Sequence, residues 1–315
     1  MARLTILDDY QQVALSSADW SPLTGRFTID VVTEHIADVD TLVERLAGSE
    51  VVVAMRERTP FPASTLERLP ALTLLVTTGP RNASIDVAAA RELGITVSGT
   101  RGKGTEMPEL TMGMIIALSR NFVAEDRAVR EGGWQHTIGT GLAGRTLGVF
   151  GLGRLGVPVA KLAQAFGMRV IAWSPRLTQE RAGEHGVHAV SKQELFAESD
   201  IVTVHMPLAD GTRWLIGAAE LGLMKPTAYL INTSRGPIVD EGALIDALRE
   251  RRIMGAGLDV YDVEPLPKDH VLRTLPNTLL LPHIGYVTTD SYEIYFADAV
   301  EDVLAYLDGA PIRVL

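Results

Sequence analysis

Short apolar runs recur along the chain and alternate with stretches patterned for helices. Leu4–Leu7, Ile29–Val32, Val51–Met55, Leu72–Thr77 and Thr96–Ser98 read as strands, and amphipathic stretches such as Asp40–Ala47 and Ile85–Leu93 lie between several of them. Strands buried on both faces read as continuous apolar runs, with the intervening helices as crossovers. The pattern predicts a parallel, doubly wound α/β unit. The polar, glycine-rich Thr100-Arg-Gly-Lys-Gly-Thr105 then marks a connection, and a long helical stretch follows from about Pro108 to Arg130. A second alternating series begins at Thr146–Phe150. It continues through Arg169–Trp173, Ile201–His205, Tyr229–Asn232, Gly257–Val260 and Thr278–Leu281. The last segment, about Thr288 to Leu307, predicts one long helix. It has no following strand in the second unit, so it could pack back on the first; the pattern alone leaves this open.

Length agrees with two units, since 315 residues exceed the usual size of one compact core. Hydrophobic residues make up 46% and charged residues 22%, ordinary for a soluble globular protein. The formal net charge of −10 argues against nucleic acid as a partner, because duplex binding rests on Lys and Arg neutralising phosphates. An anionic ligand must therefore be caught by a few placed cations. No cysteine is present, which removes disulfides, thiolate metal sites and cysteine nucleophiles. No clustered His and carboxylate spacing suggests a metal site. The N-terminal MARLTILDDY lacks a signal pattern, and no apolar run approaches the roughly 20 residues needed to span a bilayer. The expectation is a cytoplasmic protein that neither enters a membrane nor binds nucleic acid.

The most specific local motif is Gly151-Leu152-Gly153-Arg154-Leu155-Gly156. A G-x-G-x-x-G pattern is weak alone, but here an apolar strand precedes it and a helical pattern follows. Gly151 permits a tight turn, Gly153 lets the backbone approach a pyrophosphate, and Gly156 lets helix and strand pack closely. Free N–H groups at the helix start then face the phosphates. At the end of the next strand, an NAD site usually places Asp or Glu on the ribose 2′-OH. Ser174-Pro175-Arg176 stands there instead. Ser174 could bond a 2′-phosphate and Arg176 could pair with it, so NADP(H) is modestly favoured over NAD(H); a solvated turn is the alternative.

Three polar residues interrupt apolar strand ends in the second series. They are Arg235 in Asn232-Thr-Ser-Arg-Gly-Pro-Ile-Val-Asp240, Glu264 in Asp259-Val-Tyr-Asp-Val-Glu-Pro265, and His283 in Leu281-Pro-His-Ile-Gly285. Loops after the strands of a doubly wound sheet line its ligand crevice, so all three could reach one crevice. Singly each is unremarkable. Together with the glycine motif and His205-Met206-Pro207, in this order, they resemble the D-isomer-specific 2-hydroxyacid dehydrogenases, and the likeness covers nearly the whole chain.

That resemblance implies two doubly wound parallel-sheet domains with the active site between them. A Rossmann nucleotide-binding domain, residues 101–285, would be inserted into a flavodoxin-like substrate domain formed by residues 1–100 and 286–315. It implies a homodimer, with the helix near Pro108 in the contact. It also implies hydride transfer between NAD(P)(H) and C2 of a small 2-hydroxy or 2-keto acid. His283 would give or take the proton, for which an imidazole suits both directions near neutral pH. Glu264 would hold the other ring nitrogen and favour the imidazolium. Arg235 would clamp the substrate carboxylate and polarise the carbonyl oxygen, its planar fork suiting a carboxylate. Asp259 would receive the nicotinamide carboxamide; Thr233, His205-Met206-Pro207 and Gly285 would line the cofactor. In the first domain, backbone N–H groups of Thr78-Gly79-Pro80-Arg81 would meet the substrate carboxylate, although Pro80 has no N–H and both Pro80 and Arg81 depart from the family pattern, so that binding there could rely on the Arg81 N–H or its side chain. Arg56 is a second pocket candidate beside its reading as a solvated cation. The competing functions are a non-catalytic, corepressor-like NAD(H) sensor, which the intact triad disfavours, and formate- or phosphite-type hydride abstraction. Formate-acting relatives carry Gln where this chain has Glu264.

Overall fold

The computed structural model describes residues 1–315. The chain divides into two compact units, Met1–Lys103 with Val287–Leu315, and Gly104–Tyr286. Both are built on parallel sheets, as the alternating pattern predicts.

The first unit holds five strands: β1 (Ala2–Ile6), β2 (Phe27–Val31), β3 (Ser49–Ala54), β4 (Leu74–Thr77) and β5 (Thr96–Gly99). Their order is β2-β1-β3-β4-β5, with Leu4 opposite both Ile29 and Val51. β3 and β4 are buried almost throughout because they are covered on both faces. Leu42, Leu46, Leu66 and Ala90 from flanking helices join Val52, Leu75 and Val97 in one core. The helix Thr289–Leu307 belongs to this unit and lies against β4. Thr288 caps it by accepting from the Ser291 amide at 3.2 Å. Tyr292, Tyr295, Phe296, Ala299 and Val303 recur at helical spacing and are buried.

The second unit holds β6 (Thr146–Phe150), β7 (Arg169–Trp173), β8 (His188–Ala189), β9 (Ile201–Val204), β10 (Tyr229–Asn232), β11 (Gly255–Leu258) and β12 (Thr278–Leu280). The order β12-β11-β10-β9-β6-β7-β8 reverses direction between β6 and β9. This switch point is where a doubly wound sheet opens a ligand crevice at its carboxyl ends. One face packs on the helices Glu106–Ser119 and Gly156–Ala165 through Met112, Ile115, Val159 and Ala163. The other packs on Lys192–Glu198, Ala218–Leu223 and Glu241–Arg249 through Leu195, Phe196, Leu221, Leu244 and Leu248. Each of these Val, Ile, Leu, Met and Phe side chains stabilises the fold by roughly 1.5–3 kcal/mol when fully buried. Ser191 with Glu194, and Asp240, cap two of these helices.

The helical stretch expected from Pro108 to Arg130 is two helices, Glu106–Ser119 and Phe122–Arg130. Asn121, at φ 54°, breaks it. Asn tolerates the left-handed region better than most residues, so the chain can turn there. No residue of the second helix is buried. No helix is long and apolar enough to cross a membrane.

Candidate functional site

The glycine motif forms the turn between β6 and the helix Gly156–Ala165. Gly151 has φ 108° and packs on the His205 backbone, and a side chain at Gly156 would fall 2.2 Å from the Gly151 carbonyl oxygen. Only glycine fits either place. A side chain at Gly153 would meet nothing within 4 Å. The motif is thus tight where strand and helix meet and open where a ligand would lie. The amides of Arg154 and Leu155 donate to no carbonyl of the chain, which leaves N–H groups at a helix start for an anion. These residues fit a dinucleotide pyrophosphate.

At the end of β7 the Ser174 hydroxyl accepts from the Leu152 amide at 2.9 Å. Ser174 therefore ties the strand end to the glycine turn and keeps its own proton to donate. Pro175 and Arg176 are exposed. At the end of β9, His205 is buried beneath the turn. Its Nε2 lies 2.9 Å from the Thr203 hydroxyl, and burial pushes the imidazole down to about 3, so it is neutral at working pH. The Met206 carbonyl accepts from the Ser234 hydroxyl, which joins this segment to the loop after β10. Pro207 follows in the same loop. Thr233 shares a hydrogen bond with Thr111 at 2.9 Å.

The loops after β10, β11 and β12 meet closely. The Nδ1 of His283 lies 2.6 Å from Glu264 Oε2, and the other carboxylate oxygen of Glu264 accepts from the Tyr261 amide at 2.9 Å. Glu264 is therefore fixed at both oxygens, and it leaves Nε2 of the imidazole as the nitrogen not committed to it. Side-chain exposures of 21% for His283 and 33% for Glu264 leave both within reach of a ligand. The buried Asp259 accepts from the amides of Ile284 and Gly285 at 2.8 and 2.9 Å. Burial pushes its carboxyl up to about 6, against those two amides and the nearby His283, which favour the ionised form. Arg235 starts the short turn Gly236–Ile238. Its guanidinium bonds the Ser234 carbonyl at 2.7 Å, and its own carbonyl accepts from Asn232 at 3.0 Å. A side chain at Gly236 would fall 2.0 Å from the Tyr261 carbonyl carbon, so the Arg235 turn and the Glu264 loop are in backbone contact.

Arg56, Thr78, Gly79, Pro80 and Arg81 form a separate cluster in the first unit, at the ends of β3 and β4. Arg56, at φ 51°, donates its amide to the Thr78 hydroxyl at 2.9 Å, and its carbonyl accepts from Asn82 at 2.6 Å. The guanidinium lies over Gly79, where any side chain would collide with it. Arg56 is thus held on the loop, not solvated. The expectation that Thr78 and Gly79 offer their N–H groups to a carboxylate needs correction. The Thr78 amide donates to the Ala54 carbonyl and the Gly79 amide to the Thr100 hydroxyl. Pro80 has none, so Arg81 is the one member of the stretch whose N–H has no acceptor in the chain.

Two contributors were not singled out from sequence. Asn82 is buried and bridges Arg56 and Thr77; its signal was one amide side chain in a turn. Tyr286 lies against the His283 ring, three residues downstream of it.

Residues 112–285 match the family described as D-isomer specific 2-hydroxyacid dehydrogenase, NAD binding domain. Glyoxylate reductase of Aeropyrum pernix is 43% identical over 236 residues, 72% of this chain and 70% of that one. Glycerate dehydrogenase of Methylorubrum extorquens is 37% identical over 288 residues, 88% of each chain. Among solved structures, phosphoglycerate oxidoreductase of Vibrio cholerae superposes with a TM-score of 0.93 at 36% identity, covering 98% of this chain and 100% of that one.

Proposed function

The chain belongs to the D-isomer specific 2-hydroxyacid dehydrogenases, and from that premise we propose that it reduces a small 2-keto acid to the D-2-hydroxy acid with His283 as the proton donor. The observation that carries this reading is the 2.6 Å contact between Glu264 Oε2 and His283 Nδ1. It fixes the ring by one nitrogen and leaves Nε2 to reach a carbonyl oxygen. A bound nicotinamide supplies or accepts the hydride at C2. His283 gives its Nε2 proton to the substrate oxygen in reduction and takes it back in oxidation. Glu264 balances the imidazolium that reduction requires. Arg235 holds the substrate carboxylate and the carbonyl oxygen. Removing one preorganised donor of this kind costs about 10²–10³ in kcat. In the first unit, Arg56 and the Arg81 N–H contribute to carboxylate binding.

The pyrophosphate is held by Gly151–Gly156, and Asp259, Thr233, Gly285 and His205-Met206-Pro207 line the nicotinamide end. NADPH is preferred over NADH. Support comes from the strand end: no carboxylate there repels a 2′-phosphate, Ser174 has a proton to donate, and Arg176 is exposed. The active form is a homodimer. Its support is the apolar surface after Asn121, where Trp134 and Ile138 are 76% and 97% exposed and the helix Phe122–Arg130 buries nothing. Light scattering should give twice the chain mass.

The deciding assay is oxidation of NADPH and of NADH against glyoxylate, hydroxypyruvate and bulkier 2-keto acids. Turnover of at least one is expected, with kcat/KM higher for NADPH. Ser174→Asp should reverse that preference by roughly tenfold or more, the loss of one charge-assisted contact being about 1.5–3 kcal/mol. A parent that prefers NADH, or a variant of unchanged preference, would refute the cofactor assignment.

A further inference from the structure

Glu264 contacts the His283 ring at a single atom, Nδ1. One contact restrains the ring on one side only and leaves it able to rock about its Cβ–Cγ bond within the give of that hydrogen bond, because the χ2 torsion of histidine has broad wells. Nε2 would sweep through an arc as it did so. A second contact from another direction is present. The Tyr286 ring meets the imidazole with centroids 5.6 Å apart and planes at 71°, the T-shaped geometry that aromatic pairs favour. The segment between the two rings is itself held. Ile284 and Gly285, the residues separating His283 from Tyr286, both donate their amides to Asp259. Tyr286 is thereby placed at a fixed offset from the histidine it touches.

We propose that Tyr286 is a positioning residue for the His283 imidazole, its ring blocking the rotation that the Glu264 hydrogen bond leaves open. The inference rests on His283 being the proton donor. Tyr286 does not touch the reacting atoms in this account; it acts through the histidine. Its effect belongs in kcat for the reductive step and not in substrate or cofactor affinity. The ring, not the hydroxyl, carries the effect.

The test compares Tyr286→Leu, Tyr286→Phe and His283→Ala in the full-length protein with NADPH and the best keto acid. For Tyr286→Leu, kcat should fall roughly 10- to 100-fold, the scale of a misplacement near 1 Å. KM for the keto acid and the NADPH dissociation constant, read by fluorescence, should stay within about twofold. Tyr286→Phe keeps the ring and should retain kcat within about threefold. The solvent isotope effect on kcat should rise in the leucine variant, as proton transfer becomes slower relative to other steps. If that variant does not fold, Tyr286→Met supplies similar volume without a ring and is read in the same way. A leucine variant with the parent's kcat, a phenylalanine variant that falls as far as leucine, or a loss confined to KM would each overturn the proposal. A His283→Ala variant that still reduces keto acids at the parent's rate would instead sink the assignment of the proton donor itself.

Discussion

Arg56 in the first unit and His283 in the second both stand in the left-handed backbone region, at φ 51° and 55°. For a non-glycine residue this costs about 1–2 kcal/mol. The two loops offset that cost differently. Around His283 the hydrogen-bond acceptors are carboxylates: Asp259 takes the two following amides, and Glu264 takes the imidazole and the Tyr261 amide. Around the Arg56 backbone the partners are neutral: the Thr78 hydroxyl takes its amide, and the Asn82 side-chain amide donates to its carbonyl, while the guanidinium lies 3.6 Å from the Glu57 carboxylate. An ionised carboxylate accepts strongly at both oxygens, and protonation removes the charge and turns one of those oxygens into a donor. A hydroxyl or amide accepts more weakly but at any pH. The backbone of the loop proposed to handle a proton is therefore held by titrating groups, and the backbone of the loop proposed to bind a carboxylate is held by neutral ones.

Removing the histidine breaks the comparison most severely. His283→Ala should lower kcat for keto-acid reduction by roughly 10²–10⁴, the usual worth of a positioned general acid. NADPH affinity measured by fluorescence should hardly change, since the glycine turn is remote in sequence and independently packed. Next comes Asp259→Asn. The asparagine amide can present its N–H₂ where the Ile284 and Gly285 amides also donate, so one of two acceptors is lost. About 10²-fold in kcat is expected, in line with a small misplacement of a catalytic group. In the parent, Asp259 ionises at about 6. Its acceptor form is complete above that value and lost as pH falls through it, so kcat should acquire a falling acid limb near pH 6. A parent whose kcat stays flat from pH 7 to 5 would show that the clamp tolerates the protonated carboxyl.

The regular architecture was largely legible because the centres of β6, β7 and β10 are buried and read as short apolar runs. β8, two residues long, gives no such run, and the helix break at Asn121 leaves the apolar spacing around it nearly intact. In the site, Arg235, Glu264 and His283 stood out because each is a polar residue following an apolar strand. The occupancy of the Thr78 and Gly79 amides did not. It depends on Ala54 and Thr100, which are distant in sequence, and a hydrogen-bond partner brought near by folding leaves no local pattern. Tyr286 escaped for a related reason: at helical or strand spacing an aromatic beside an apolar residue reads as core, and its contact with His283 depends on the turn that Asp259 holds.

The neutral loop should respond more mildly. Thr78→Val removes the hydroxyl that accepts the Arg56 amide while keeping the side-chain shape. One neutral hydrogen bond is worth about 0.5–1.5 kcal/mol. KM for the keto acid should rise several-fold with kcat within about twofold, and the ratio to the parent should be constant between pH 6 and 8. A change in this ratio with pH would mean that the loop is coupled to a titrating group after all, and the contrast between the two loops would fail.

The smallest effect concerns buried charge that the first unit does possess, away from the Arg56 loop. Asp302, on the helix Thr289–Leu307, has no exposed surface. One oxygen accepts from Arg313 Nε at 2.9 Å, and the other has no partner. Burial pushes its carboxyl from 3.8 to about 7; Arg313 opposes this, while Asp298 and Glu301 reinforce it. The sign of the linkage follows. Below about pH 4 the carboxyl is protonated in folded and unfolded chains alike. Between that value and about 7 the unfolded chain releases the proton and the folded chain keeps it, so stability declines as pH rises, then levels off. Asp302→Asn cannot ionise and still offers Arg313 an oxygen. Its Tm should lack that portion of the decline and lie above the parent's at pH 8 by roughly 2–4 °C, the shift that about 1 kcal/mol produces in domains of 150–250 residues. Turnover at pH 8 and 25 °C should be unchanged, because this carboxyl pairs with Arg313 and not with a residue of the Arg56 loop. Thermal scans at pH 5 and pH 8 decide it: equal Tm differences at the two values would mean that Asp302 is already ionised in the folded protein, held by Arg313.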